Sequence, residues 1–106
     1  MSTTIAWSIL IFAGVLESFW AIGLKLSDGL SKPVYTIATI ICATLSFYLL
    51  ALSMKILPAG VAYSAWGAIG ISGAVILEYA FFNGDMSLIK SISIVLIIVG
   101  IFGLNQ

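Results

Sequence analysis

Four long apolar stretches divide the chain, and short polar segments separate them. The stretches cover approximately residues 4–24, 34–54, 59–82 and 88–104. Each is close to the roughly 20 apolar residues that an α-helix needs to cross a bilayer core of about 30 Å. Runs such as 92–101 are apolar on nearly every face, whereas strands of a membrane β-barrel alternate between lipid-facing and lumen-facing residues. The pattern predicts an all-α membrane protein with four transmembrane helices in a single domain, 1–106.

The polar segments have the composition of membrane-surface turns. The longest one lies between the first two stretches, and its predicted corner is Asp28-Gly29, because Asp and Gly favour tight turns. Pro58 lacks the backbone N–H that would continue a helix, so it fits an early position of the third helix. The third stretch ends at Asn83-Gly84, which predicts another turn.

The composition excludes a water-soluble domain. Hydrophobic residues make up 62% of the 106 residues and charged residues only 8%, with a mean hydropathy of +1.26. Soluble domains carry about 25% charged residues. The chain has no histidine and one cysteine, so it offers no cluster of soft metal ligands and no disulfide framework. We therefore predict neither an enzyme nor a bound cofactor or metal.

The four lysines bear on partners and on orientation. They are scattered and the net charge is zero, so no basic stripe exists that would bind the phosphates of a nucleic acid. Lys25, Lys32 and Lys90 fall on one predicted side of the membrane and Lys55 on the other. Lysines favour the cytoplasmic side in short loops. This weak bias leaves open a single orientation with three lysines inside, or a mixture of two opposite orientations.

Glu17 is the residue that most needs an explanation, because it lies well inside the first apolar stretch. An ionisable group at the centre of a membrane helix costs roughly 2.5 to 3.5 kcal/mol on insertion scales. Burial favours the neutral, protonated carboxyl group, while the deprotonated form attracts a cation. Proton and cation would then compete for one group, which is the minimum requirement for exchanging them across a membrane. The alternative is a protonated glutamate that only joins helices by a hydrogen bond.

Residues three and four positions from Glu17 share its helix face. Ala13, Gly14 and Ala21 are small and leave space beside the carboxyl group, while Trp20 lies one turn away. Trp20 offers a flat ring face to a cation and an N–H to a polar partner. Its alternative role is that of an anchor at the membrane surface.

The third predicted helix carries a similar face. Its members are Gly60, Tyr63, Trp66, Gly67 and Gly70. Tyr63 and Trp66 place a hydroxyl beside a large aromatic surface, which suits an organic cation. The glycines permit close helix approach or bending in mid-membrane, and ordinary packing of small residues is the alternative.

The remaining polar residues of the apolar stretches have more than one interpretation. Ser46 is the most central hydroxyl of the second helix, where it orients Glu17 or a ligand, or bonds back to its own helix. Ser93, Gly100 and Gly103 form a small-residue face of the fourth helix that we interpret as an assembly surface. Glu78 falls near the membrane surface, where it reaches lipid headgroups or pairs with a lysine. A second transport site at Glu78 is the less favoured alternative.

These motifs together resemble the small multidrug resistance family over essentially the whole chain. The resemblance rests on Gly14-x-x-Glu17, Leu24-Lys25-x-Ser27-x-Gly29 and Leu57-Pro58-x-Gly60-x-Ala62-Tyr63-x-x-Trp66. Trp20, three residues after the glutamate, is similar to the guanidinium-exporter branch of that family. Two features depart from the branch. After Trp66 the chain continues with Gly67-Ala68-Ile69-Gly70, where that branch commonly has a threonine and then a glycine, and Glu78 stands where an apolar or small residue is usual.

The resemblance implies an antiparallel homodimer of oppositely oriented subunits in the inner membrane of a prokaryote, with both glutamates in one cavity. It implies proton-coupled export in which the two protomers exchange conformations. Glu17 would bind proton or substrate, Trp20 and Ser46 would orient it, and Tyr63 and Trp66 would line the pocket and take part in switching.

Three functions remain open on the sequence. The favoured one is export of guanidinium-like cations, because a planar guanidinium forms paired hydrogen bonds with a carboxylate. The second is export of quaternary ammonium or aromatic cations, which needs aromatic walls but no such geometry. The third is a structural or regulatory membrane subunit without transport of its own. The departures from the family pattern also leave open one subunit of a heteromeric transporter of that family.

Overall fold

The computed structural model describes residues 1–82 and 84–104, which form four α-helices. These are α1 (Thr3–Leu26), α2 (Pro33–Ser53), α3 (Ala59–Phe81) and α4 (Leu88–Leu104). Within the two described ranges no β-strand occurs. The first three helices are long and apolar enough to cross a membrane, while α4 has 17 residues and is shorter. The predicted all-α architecture with four apolar helices is confirmed.

The turn between α1 and α2 is held by Ser27. Its Oγ donates a hydrogen bond to the carbonyl of Leu24 at 2.6 Å and accepts one from the backbone N–H of Leu30 at 3.1 Å. Asp28, Gly29 and Leu30 all have positive φ angles, of 51°, 70° and 67°. Asp and Gly tolerate this left-handed backbone, which explains why the corner falls at the predicted Asp28-Gly29.

The other two connections are short. Pro58 occupies the position directly before α3, with its φ of −57° compatible with helix entry. At the end of α3, the backbone N–H groups of Phe82 and Gly84 both donate to the carbonyl of Glu78, at 3.0 and 3.1 Å. Asn83, which belongs to the predicted turn, lies outside the described residues.

Small residues dominate the centre of the molecule. α1 packs against both α2 and α3, and α4 makes its backbone contacts with α3. The buried core is built mainly from Ala6, Ala13, Ala62 and Ala65, with Leu10 and Leu50 as larger members. Most of the large apolar side chains point outward instead, and none of the residues of α4 is buried. This arrangement is the reverse of that in a soluble protein and suits a bilayer, in which helices associate through close packing of small residues while lipid covers the apolar exterior.

Candidate functional site

Glu17 lies where α1 packs closely against α3. Its carboxyl group rests against Gly70, so closely that a methyl group on Gly70 would overlap with it. The side chain is half-buried, and its Oε2 atom is fully buried with no hydrogen-bond partner in the described part of the chain. Gly70 therefore provides the space for the carboxyl group. This is a packing role, and it is separate from the bending of α3 that the sequence predicted for this glycine.

The residue after Glu17 fastens α1 to α3. Ser18 is buried, and its Oγ donates to the carbonyl of Gly70 at 3.1 Å. The carbonyl oxygens of Gly14 and Ile69 are longer alternative acceptors, each 3.4 Å from the same Oγ. A methyl group on Gly73 would overlap with the Ser18 hydroxyl. The hydrophobic pattern did not single out Ser18, although a hydroxyl beside a mid-membrane acid was a visible signal.

Gly14 makes the same interface possible one turn away. A methyl group on Gly14 would lie 2.8 Å from Cβ and Cγ2 of Ile69 and 3.4 Å from the carbonyl oxygen of Trp66. By contrast, a methyl group on Gly60 or Gly67 would meet no atom within 4 Å. Gly14 is thus needed for helix contact inside one chain, whereas roles of Gly60 and Gly67 in bending or in lining a pocket stay predictions.

Ser46 joins three helices through one buried hydroxyl. Its Oγ donates to the carbonyl of Ala13 in α1 at 2.7 Å and accepts from Nε1 of Trp66 in α3 at 2.9 Å. The hydroxyl therefore bonds across to α1 and not back to its own helix. Ala13 precedes Glu17 by one helical turn, so Ser46 fixes the part of α1 that carries the acid.

Aromatic rings form a continuous row beside this hydroxyl. Trp20 and Phe47 have ring centroids 6.1 Å apart, Phe47 and Trp66 are 5.2 Å apart, and Tyr63 stacks on Trp66 at 5.6 Å. The row places Trp20 against α2 and leaves its Nε1 atom buried and without a hydrogen-bond partner among the described residues. Phe47 lies in an apolar run of the sequence with nothing to mark it, yet it connects the two tryptophans.

This arrangement has a definite chemical capacity. The Glu17 carboxyl group provides an unused acceptor and the Trp20 indole provides an unused donor, both in buried positions. A buried polar group without a partner costs roughly 1 to 3 kcal/mol, which a suitable ligand can recover. The carboxyl group accepts a proton or a cation, and the ring faces attract cations. Among the described residues no group of three His, Cys, Asp or Glu side chains could hold a metal ion.

The small-residue face of α4 begins at Ser93, which lines a cavity together with Val75 and Glu78 of α3. Ser93, Gly100 and Gly103 are exposed, and a methyl group on either glycine would meet no atom within 4 Å. The Ser93 hydroxyl donates to the carbonyl of Ile89 at 2.8 Å in its own helix. The three residues remain available for contact with another chain, and their assignment as an assembly surface stays a prediction.

Glu78 pairs with a lysine at the membrane surface. Its Oε1 atom lies 3.0 Å from Nζ of Lys25, and both side chains are about half exposed. This confirms the lysine alternative for Glu78. The pair connects the ends of α3 and α1. Exposed ion pairs of this kind contribute about 0 to 1 kcal/mol to the free energy of unfolding.

Comparison with known proteins identifies related sequences over almost the full chain. A guanidinium exporter of Yersinia pseudotuberculosis is 46% identical over 100 residues, which cover 94% of this chain and 96% of the relative. A guanidinium exporter of Escherichia coli K12 is 39% identical, with 94% and 95% coverage. One of Salmonella typhimurium LT2 is 41% identical with the same coverage.

The family assignment follows from a match that is nearly as long. A sequence model described as Small Multidrug Resistance protein matches residues 5–97. That range includes nearly all of α1, the whole of α2 and α3, and the first part of α4. Together with the four apolar helices and the bacterial relatives, it indicates a multi-pass protein of the prokaryotic inner membrane. The chain belongs to the Small Multidrug Resistance protein family.

Proposed function

We propose that this protein is a proton-coupled antiporter that exports small guanidinium-like cations across the cytoplasmic membrane. The observation that carries the proposal is the buried, unpartnered oxygen of Glu17 beside the aromatic row. The names of the bacterial relatives, all guanidinium exporters, support the choice of substrate. The family resemblance and the mid-membrane position of the acid support coupling to protons.

The chemistry of guanidinium matches the groups that surround Glu17. A guanidinium ion donates two parallel hydrogen bonds to one carboxylate, and its flat face stacks on aromatic rings. Trp20 has a different role, because an indole N–H cannot bond to a cation that has only donors. We assign the Trp20 N–H to the deprotonated carboxylate, either of its own chain or of a second copy, where it stabilises the form that binds substrate.

Exchange follows from the single acid. A protonated Glu17 has no charge with which to hold a cation, so the arrival of a proton releases guanidinium, and the arrival of guanidinium releases a proton. If the loaded site opens alternately to the two sides of the membrane, the inward proton gradient drives export of the cation. Tyr63 and Trp66 line this pocket in the proposal, and Ser46 holds α1 and α3 in register around it.

A second copy of the chain completes the site in this proposal. Phe47 and Tyr63 are more than half exposed although they belong to the aromatic row, so their outer faces are free to meet another protomer. The open face of α4 offers a second contact. We infer an antiparallel homodimer of oppositely oriented subunits, with both Glu17 side chains in one cavity. The weak lysine bias is compatible with this dual topology.

Purified protein in liposomes tests the proposal. Guanidinium is expected to drive a faster proton flux, read with a pH-sensitive dye inside the liposomes, than tetraethylammonium does, because only guanidinium forms the paired hydrogen bonds. Glu17→Gln should abolish the flux, while the matched variant Glu78→Gln should keep it, since Glu78 lies at the surface.

Each alternative gives a different result in the same measurement. A larger proton flux with tetraethylammonium would instead identify an exporter of quaternary ammonium ions, which the exposed aromatic rings would suit. Full transport by Glu17→Gln would exclude the antiport mechanism. A chain that neither dimerises nor transports alone would point to a heteromeric pair.

A further inference from the structure

Two threonines near the start of α2 have hydroxyl groups without partners. The Oγ1 atoms of Thr36 and Thr39 are buried, and neither forms a hydrogen bond in the described structure. Thr39 is only 5% exposed. The two residues are three positions apart and therefore share one helix face. Thr39 faces α1, because its Oγ1 atom lies so close to Gly23 that a methyl group there would overlap with it.

These hydroxyls differ from others in the same protein. A serine or threonine in a membrane helix usually bonds to the carbonyl four residues earlier. Ser8, Thr44 and Ser93 do so, at 2.9, 2.7 and 2.8 Å. Thr36 and Thr39 leave their hydroxyls for another partner, in a region where an unpartnered polar group is costly.

The two hydroxyls lie beside a helical row of α1 that leads to the functional acid. Thr36 lies three residues after the first residue of α2 and therefore near the membrane surface. Going inward from Gly23, the next unpartnered buried atoms on α1 are Trp20 Nε1 and Glu17 Oε2. Six residues separate Gly23 from Glu17, which corresponds to about 9 Å along a helix. Gly23, Trp20 and Glu17 follow one another at intervals of three residues, so each is the neighbour of the next along α1. We call the set of Thr36, Thr39, Trp20 and Glu17 the polar seam.

We propose that the polar seam binds a short file of water molecules that carries protons between Glu17 and the membrane surface at the α1–α2 turn. Buried waters require polar partners, usually two to four each, and the seam offers hydroxyls that donate and accept, an indole donor and a carboxyl group. Each water accepts one proton, passes another on and then reorients, so no water is consumed. Protons would then reach Glu17 from the α1–α2 turn without passing Tyr63 and Trp66.

The proposal depends on the proposed function only in naming Glu17 as the proton donor and acceptor. Hydration of the seam can be measured without transport. The chain has three tryptophans, and one of them provides an internal control: the Trp66 indole N–H is bonded to Ser46, whereas that of Trp20 is unpartnered. Exchange of the two indole protons with water is measured by NMR on the full-length protein in lipid nanodiscs.

The variants remove hydroxyls and keep side-chain shape. Thr36→Val together with Thr39→Val should slow exchange of the Trp20 indole proton by about tenfold, which corresponds to about 1.4 kcal/mol, and should leave Trp66 unchanged. Thr44→Val makes the same chemical change on α2 at an exposed hydroxyl that is bonded to Ile40, so it should have no effect. Unchanged Trp20 exchange in the double variant would overturn the proposal.

A second measurement follows proton release directly. Guanidinium is mixed with the protein in a stopped-flow instrument, and a pH dye reports the protons displaced. The double variant should release them about tenfold more slowly, while its equilibrium Kd for guanidinium stays unchanged. A variant with Thr36→Val and Thr39→Ser should regain the rate, because serine at position 39 provides the hydroxyl that valine lacks. A rate equal to that of the wild type would contradict the proposal.

Stability gives an independent outcome. If the seam is dry, Thr39→Val removes an unsatisfied polar group and should raise the Tm without slowing proton release. That result would also overturn the proposal. A wild-type protein that does not bind guanidinium at all would contradict the proposed function, whereas the indole exchange would still decide whether the seam holds water.

Discussion

Replacing Gly70 with alanine should separate binding from folding. The added methyl group would overlap with the carboxyl end of Glu17, which is the far end of a flexible side chain. The side chain can rotate away, so the helices keep their contact, but the carboxyl group loses its position against α3. We therefore expect Gly70→Ala to fold and to bind guanidinium poorly.

The size of the effect follows from the contact that is lost. A hydrogen bond to a charged group contributes about 1.5 to 3 kcal/mol. Displacing the carboxylate from its guanidinium partner should therefore raise the Kd by about 10-fold to about 150-fold. Stability should change little, because replacing a glycine in a helix gains about 0.5 to 1 kcal/mol, which offsets part of the crowding.

Two glycines on the same interface are the controls. In Gly73→Ala the methyl group meets Ser18 instead of Glu17, so the contact between α1 and α3 is disturbed while the carboxyl group of Glu17 is not. In Gly14→Ala it meets Ile69 at 2.8 Å, and that β-branched side chain cannot rotate away easily. Both controls should lower the Tm more than Gly70→Ala does, and lower the affinity less.

Calorimetric titration with guanidinium and thermal unfolding of the same detergent-purified samples measure the two effects. Equal affinities for Gly70→Ala and the wild type would refute the placement of Glu17 against α3. A loss of affinity in Gly73→Ala as large as that in Gly70→Ala would show that general loosening, and not the carboxyl position, controls binding.

Three further predictions concern the network, the surface pair and pH. Ser46→Ala should destabilise the fold by about 1 to 3 kcal/mol, because it leaves the Trp66 N–H buried without an acceptor; denaturant unfolding measures this, and adding Trp66→Phe should recover part of the loss. A double-mutant cycle between Lys25 and Glu78 should give a coupling below about 1 kcal/mol that decreases in high salt; a coupling independent of salt would contradict the exposed geometry. Guanidinium should bind more tightly as pH rises, because protons compete for Glu17, and a pH-independent Kd would refute that competition.

The number and approximate extent of the helices could be predicted because lipid imposes them. A membrane span must be apolar and about 20 residues long, so the interruptions at 25–33, 55–58 and 83–87 define the elements almost directly. Glu17 was recognisable for the same reason, as the acid farthest from any interruption.

The contacts of the site could not be predicted in the same way. In a soluble helix the polar face identifies which side is buried, but here every face is apolar, so the rotation of each helix is hidden. That rotation decides that Ser46 reaches Ala13, that Phe47 bridges two tryptophans and that Ser18 bonds to α3. Close contacts at Gly14 and Gly70 set it, and these depend on the partner helix as much as on the glycine itself.

The central claim is that proton and cation compete for Glu17, and carboxyl NMR tests it most directly. The chain has only two glutamates, so labelling them with ¹³C gives two carboxyl signals, and Glu78→Gln identifies which belongs to Glu17. At a pH where Glu17 is partly protonated, saturating guanidinium should convert its signal to that of the carboxylate and leave the Glu78 signal unchanged. A Glu17 signal that does not respond to guanidinium would contradict the account.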